Sequence, residues 1–417
     1  MSTPVTVSLV DKLSPRWSEE VAALRALLGA PENPTLFPHH YLASTFPKIG
    51  GEIALFRRDD RVCAIGFLFP RGLQEGRRVY TLRFHARDSA CGDGDARRLL
   101  TDLGELLGGA RVVFYDPTKP HLFNRTGQQS SQGLDLGMPD ADEADEVRRV
   151  QGAIWGAEPD DLYPADLHSI GFGAGTTLVA RQGLAIVGFL FGFYRFAGSS
   201  LPPTWDARYH GQLRLESQLL GVVPGVRKQG VGFRLKRAQA EDARTQGIGV
   251  VNWTVDPLQF SNAVLNFGRL KAVAFDIYPE HYTFRNDLNQ VAASRFGMTW
   301  LVQSRRVREA LDVATGATIV DLAGDTTTPR VNHGAAMSEL GATAPTIAIE
   351  VPANWNAVQR EDLDLALRWR ATTDRLFAHY LGPDLGRYVV TGVGQDADAR
   401  YLLAERITPT FLAHYGA

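Results

Sequence analysis

The chain has 417 residues, of which 44% are hydrophobic and 22% charged, with a formal net charge of −2. That length fits two domains, or two with an extra segment, and the composition excludes wholesale disorder. Without a basic excess a nucleic-acid or anionic-membrane partner is not expected. With only Cys63 and Cys91 and no metal-site spacing, neither a disulfide-stapled fold nor a metal centre is expected.

In chain order, the first residues lack a basic cluster ahead of an apolar run, so no signal peptide is read and a cytoplasmic location is expected. A helix is predicted over Ser18–Leu28, then the pair Phe37-Pro38. Two strands follow, Ile53–Arg57 and Val62–Phe69, the second closing on Gly66-Phe67-Leu68-Phe69. A longer strand leads through a glycine turn into a helix, and the strand Arg111–Tyr115 runs into Asp116-Pro117. Residues 125–144, rich in Gly, Ser, Gln and Asp, read as a linker.

The same order then recurs. A helix over Glu146–Trp155 precedes Tyr163-Pro164. Strands over Thr177–Arg181 and Ala185–Phe193 follow, the latter carrying Gly188-Phe189-Leu190-Phe191. The stretch Leu184 to Phe193 is the most apolar in the chain and too short to span a bilayer. A strand over Gln212–Val223, a glycine turn, a helix to about Gln246 and a strand over Gly249–Val255 complete the set, ending in Asp256-Pro257. Repeated tokens in one order predict a duplicated α/β domain with a mixed sheet. Residues 324–345 read as a second linker. Beyond it lie a strand, Thr346–Val351, a helix, Val358–Leu381, and strands Arg387–Val393 and Arg400–Arg406. The expected division is 1–140, 146–315 and 345–417, with the tail returning to complete the first copy's sheet.

The turn Arg227-Lys228-Gln229-Gly230-Val231-Gly232 carries the chemistry. Two glycines let the backbone approach a ligand, and the helix that follows exposes unpaired N–H groups at its positive end. Arg227 and Lys228 add cationic charge, so a diphosphate is the expected guest. A glycine turn alone would be weak evidence.

The longer string Leu220-x-Val222-x-Pro224-x-x-Arg227-x-x-Gly230-x-Gly232 resembles motif A of the GNAT acyltransferases. Trp253 to Leu258, Asn262-Ala263 and Asn266-Phe267 extend the resemblance, which reaches upstream to Val150-Gln151-Gly152. In the tail it includes Ile349 to Pro352 and Trp369-Arg370. Together they look like a bacterial subgroup of predicted GNAT acetyltransferases, and tandem GNAT-like domains are implied. The resemblance implies acetyl-coenzyme A, or another acyl-coenzyme A, as co-substrate, with no metal. It implies a bulged strand, backbone pairing of Val222 and Val223 with the pantetheine, and a donor N–H near Leu220–Val222 for the thioester oxygen. It further implies a diphosphate cradle over Arg227, Lys228, Gln229, Gly230, Val231, Gly232 and Phe233, and an amide contact from Asn262. The acceptor would be a small-molecule amine or amino acid, with a protein amine, or a non-catalytic acyl-coenzyme A-binding role, as alternatives.

Glu216 stands where many members place a glutamate base; the alternative is a carboxylate exposed or paired with Arg214 or Arg234. Period-two alternation puts Glu216, Gln218 and Leu220 on one face, with Gln218 lining the site. The resembling subgroup tends to carry histidines at the first two places. Phe267 stands where the family places a tyrosine acid near the cofactor, and Tyr278 or Tyr282 could substitute or simply pack. In the first copy, Leu82-x-Phe84-x-Ala86-x-x-Ser89-x-x-Gly92-x-Gly94 keeps the glycines. Ser89 replaces the arginine, however, and Asp88, Asp93 and Asp95 ring the turn. That copy is expected to keep the fold without coenzyme A, with His85 as polar surface.

Overall fold

The computed structural model describes residues 3–117, 129–131, 133–196, 198, 201–209, 212–282, 290–312, 316–338 and 340–416. Two compact units emerge, 1–198 with 211–246 and 199–210 with 247–417, so the division cuts through the expected 146–315 domain.

The first unit holds two sheets. One has the order β1-β2-β3-β4-β5, from Thr6–Leu9, Glu52–Arg58, Arg61–Gln74, Arg77–Ala86 and Arg111–Tyr115. The other runs β6-β7-β8-β9-β10, from Gln129–Ser131, Leu134–Gly137, Gly175–Gln182, Ala185–Phe196 and Leu213–Val222. Helix α1 (Trp17–Leu27), the short α2 (Asp93–Arg98) and α3 (Leu100–Leu106) accompany the first sheet; α4 (Ala141–Trp155) and α6 (Val231–Thr245) accompany the second. The expected linker is mostly structured: β7 pairs with β8, and Asp140 caps α4 by accepting from the Glu143 N–H. Its first four residues lie outside those described.

Both sheets share one aromatic core, which explains why the division departs from the repeat. Phe67 and Phe69 of β3 meet Phe189, Phe191 and Phe193 of β9 around Phe37, Tyr41 and Tyr163. Phe37 and Phe69 have ring centroids 4.7 Å apart, as do Tyr41 and Phe193. Each such buried ring contributes roughly 1.5–3 kcal/mol.

The pairing registers of the two sheets run alongside each other. Gly66 lies between Ala54 and Phe84, and Gly188 between Ala180 and Val222. Each glycine leaves room for close packing: a Cβ on Gly66 would meet Leu82 at 2.6 Å, and one on Gly188 would meet Val231 of α6 at 2.9 Å.

Cys63 of β3 and Cys91 after β4 form a disulfide, with Cα atoms 5.6 Å apart. A disulfide was not expected from the sequence; strand β3 and the turn after β4 bring together residues 28 positions apart, a proximity that spacing does not reveal.

The second unit is built on the order β17-β19-β18-β12-β13-β11. Its strands are β11 (Val250–Val255), β12 (Val273–Tyr282), β13 (Ala293–Leu301), β17 (Thr346–Val351), β18 (Tyr388–Asp396) and β19 (Ala399–Arg406), and the two-residue β14 (Val320–Asp321) pairs with β18. Strands β15 (Asn332–His333) and β16 (Ala336–Met337) form a hairpin inside the second expected linker. Helices α5 (Pro203–Tyr209), α7 (Phe260–Ala263), α8 (Arg305–Asp312) and α11 (Pro409–Gly416) complete it with α9 (Trp355–Glu361) and α10 (Leu363–Tyr380). One continuous helix was expected for the last two. Asp362 breaks it at φ −148° and caps α10 by accepting from the Leu365 N–H.

The tail does not complete the first sheet. Its strand β18 joins β12 at Ala274–Val390, and Phe377 of α10 packs on Phe296 of β13 at 4.6 Å. Two segments that carry the resemblance meet there: Arg370 holds the buried Asp256 by two nitrogens, at 2.7 and 3.2 Å.

Candidate functional site

Strand β10 is interrupted where it matters. Ser217 pairs with Gly192 and Leu219 with Phe191, so Gln218 is the extra residue of a bulge. One inserted residue reverses the alternation beyond it. Glu216 and Gln218 keep the aromatic side. Leu219 joins that side, while Leu220 and Val222 turn to the α6 side with Val231 and Leu235. The expected grouping of Leu220 with Glu216 is thereby corrected.

Glu216 is paired, though not with either arginine considered from the sequence. Its Oε2 accepts from Arg195 Nη1 of the neighbouring β9, and both side chains are largely buried. Gln218 Nε2 donates to the Tyr163 hydroxyl at 2.9 Å. Beside them burial pushes the Tyr41 phenol well up, with Tyr163 and Glu216 adding to the rise. Burial draws the Lys48 ammonium down against the pull of Glu216. The result is a carboxylate, an amide and two phenols against one patch of β9 and β10.

Ser217 points the other way. Its Oγ accepts from Lys236 Nζ of α6 at 2.8 Å, and Lys236 also reaches Gln239 Oε1 at 3.4 Å. Burial pulls this ammonium down to about 7, with Glu216 opposing. No sequence pattern singled out Lys236 or Arg195; a charge inside an otherwise apolar helix face or strand was the available signal.

The turn follows. Pro224–Val226 form a short 3₁₀ turn, Lys228 has φ 68°, and Gly230 caps α6 at φ 80°, ψ 7°. This left-handed geometry favours glycine at 230. Among the described residues, the N–H groups of Lys228, Gly230, Val231 and Gly232 have no backbone acceptor, and Gly230 has no side-chain cap. They form the positive end of a 15-residue helix. Arg227 and Lys228 are exposed, and Arg227 Nε donates to the Val222 carbonyl at 3.1 Å. Gln229 Nε2 reaches back to the Gly225 carbonyl at 3.5 Å, and Phe233 is buried. The Val223 N–H is already taken by the Val187 carbonyl at 3.0 Å.

The first copy's turn differs. Gly92 is extended at φ −132°, and its N–H donates to Asp95, which also pairs with Arg58 and Arg98. The six-residue α2 that follows offers a shorter dipole than α6.

The remaining expected residues fall in the second unit. Asn262 is exposed on α7, and Phe267 is buried in the π-helical turn Val264–Arg269 with its ring 6.4 Å from Phe296. Tyr282 ends β12 opposite Ala293, and its side chain lies outside the described residues. Among those described, no group of three or more His, Cys, Asp or Glu is placed to hold a metal, and no helix is long and apolar enough to cross a membrane.

No family model and no curated protein matches the chain. Among solved structures it is similar to Arabidopsis thaliana NAA60 in complex with acetyl-CoA, at 13% identity and TM-score 0.34 over 41% of this chain and 99% of that one. Ard1 from Thermoplasma volcanium shows 18% identity and TM-score 0.30 over 41% and 99%. The ribosomal-protein-S18-alanine N-acetyltransferase of Escherichia coli shows 10% identity and TM-score 0.31 over 41% and 95%.

Proposed function

We propose that the chain is a GNAT-type N-acyltransferase that moves an acetyl or succinyl group from acyl-coenzyme A to the amine of a small molecule or amino acid. The observation that carries this reading is the bulged β10 leading through a left-handed Gly230 into α6, whose first amides have no backbone acceptor. Those N–H groups would hold the diphosphate, with Arg227 and Lys228 beside them. Once bound, the thioester supplies an activated acyl carbon for direct attack. Glu216 would take the acceptor's proton, with Arg195 and Gln218 fixing its surroundings. The matched registers around Gly66 and Gly188 support a duplicated domain whose first copy has given up the nucleotide.

Release of free thiol from acetyl- and succinyl-coenzyme A, measured against a panel of amino acids, amines and peptide N-termini, tests the activity. Glu216→Gln should lower kcat by roughly 10²–10⁴-fold, the usual contribution of general base catalysis, while acyl-coenzyme A still binds. Unchanged turnover in that variant would remove Glu216 from the mechanism. The buried Phe267, which has no proton to give, favours a second reading in which the chain binds acyl-coenzyme A without turnover. Tight binding with no thiol release from any acceptor would support it.

A further inference from the structure

At the C-terminal mouth of β4 and β5, where their pairing stops at Arg83–Tyr115, lies a cavity of about 580 Å³ lined by Arg83, Phe84, His85, Pro164 and Asp166. None of the residues assigned to the acyl donor or to proton transfer lines it. Arg83 is 1% exposed. Its Nη2 donates to Asp166 Oδ1 at 2.9 Å, and Phe37 covers its guanidinium carbon at 5.4 Å.

That pair leaves hydrogen-bonding groups of both kinds unused. Arg83 Nε and Nη1, Asp166 Oδ2 and His85 Nε2 are all shielded from solvent and have no hydrogen-bond partner. Native structures leave few such atoms buried, and a charged one is the least tolerable. His85 was expected to be polar surface. Burial and Arg83 instead hold its imidazole down to about 3, so near neutral pH it brings no charge of its own.

The combination selects a ligand class. A simple anion would satisfy Arg83 and leave the aspartate oxygen bare, while a simple cation would do the reverse. The cavity's other charged side chains, Asp145 and Arg148, are one of each sign. Apart from Thr35, its remaining wall, with Phe84 and Pro164, is apolar.

We propose that this cavity is a binding site for a free α-amino acid, its wall yielding to bring the carboxylate onto the unpartnered Nη1 of Arg83 and the ammonium onto Asp166 Oδ2, with an apolar side chain against Phe84 and Pro164. The site is shared between β4 of the first copy and Pro164–Asp166 of the second, and is distinct in chemistry from a nucleotide site.

Isothermal titration of the full chain with free L-amino acids bearing aliphatic and aromatic side chains tests the proposal, alongside the N-acetyl and C-amide forms of the best binder. Blocking either end should weaken binding roughly tenfold or more, because each block strands one charged partner. Arg83→Met and Ala165→Phe, the latter filling the cavity while leaving the ion pair intact, should abolish the signal while acyl-coenzyme A affinity stays unchanged. Glu216→Gln should retain it. Absence of binding by every amino acid on the native chain would overturn the proposal, as would equal binding of the blocked forms. Binding lost in Glu216→Gln but kept in Ala165→Phe would place the amino acid at the acyl-transfer site instead, also overturning it. The blocked-analogue comparison uses only the native chain, so it decides even if Arg83→Met does not fold.

Discussion

Replacing Lys236 with methionine should stabilise the protein at neutral pH and do so less as pH rises. An exposed lysine titrates near 10.4, whereas burial pulls Lys236 down to about 7. Between those values the unfolded chain binds a proton that the folded chain does not, so native stability climbs with pH across the window. At about 1.4 kcal/mol per pKa unit, the folded state at pH 7 carries a penalty of up to roughly 5 kcal/mol that is gone near pH 10.5. Methionine is similar in volume and does not titrate, but it forfeits the bonds to Ser217 and Gln239, worth roughly 1 kcal/mol each. The expected balance is a gain of roughly 2–4 kcal/mol at pH 7 that shrinks and changes sign towards pH 10. Urea unfolding of both proteins, followed by circular dichroism at a series of pH values, reads it directly. A difference that does not vary with pH would refute the reasoning, as would a variant less stable at pH 7.

Burial holds the His168 imidazole down to about 3, so stability present above pH 6.5 should drain away on acidification, by roughly 3 kcal/mol at pH 4; His168→Phe should flatten the acid limb of the unfolding curve. In the second unit, Arg370→Leu leaves the buried Asp256 carboxylate alone and should cost roughly 3–5 kcal/mol. Adding Asp256→Asn should recover part of that loss in the same unfolding assay.

Local chemistry was legible in the sequence; non-local pairing was not. Strand β5 has the bounds expected for it, and the glycine turn expected ahead of α6 is there, with Gly230 as its left-handed N-cap. The bulge was implied by resemblance, yet period-two counting ran straight through Gln218 and misplaced Leu220, because an inserted residue leaves no trace in the hydrophobic pattern. Strand β7 hid in a Gly- and Asp-rich run because its stability comes from pairing with β8 rather than from its own propensity. The Cys63–Cys91 bridge, the Arg195–Glu216 pair and the tail's junction with β12 all join residues far apart in the chain. Composition and periodicity speak only of neighbours along it.

The most direct test of the central claim is amide hydrogen exchange over residues 224–235, with and without coenzyme A. If the opening turn of α6 grips the nucleotide, exchange at Lys228, Gly230, Val231 and Gly232 should slow on adding coenzyme A and stay unaltered with pantetheine, which lacks the diphosphate. Unchanged exchange at those amides under saturating coenzyme A, or protection confined to other segments, would contradict it.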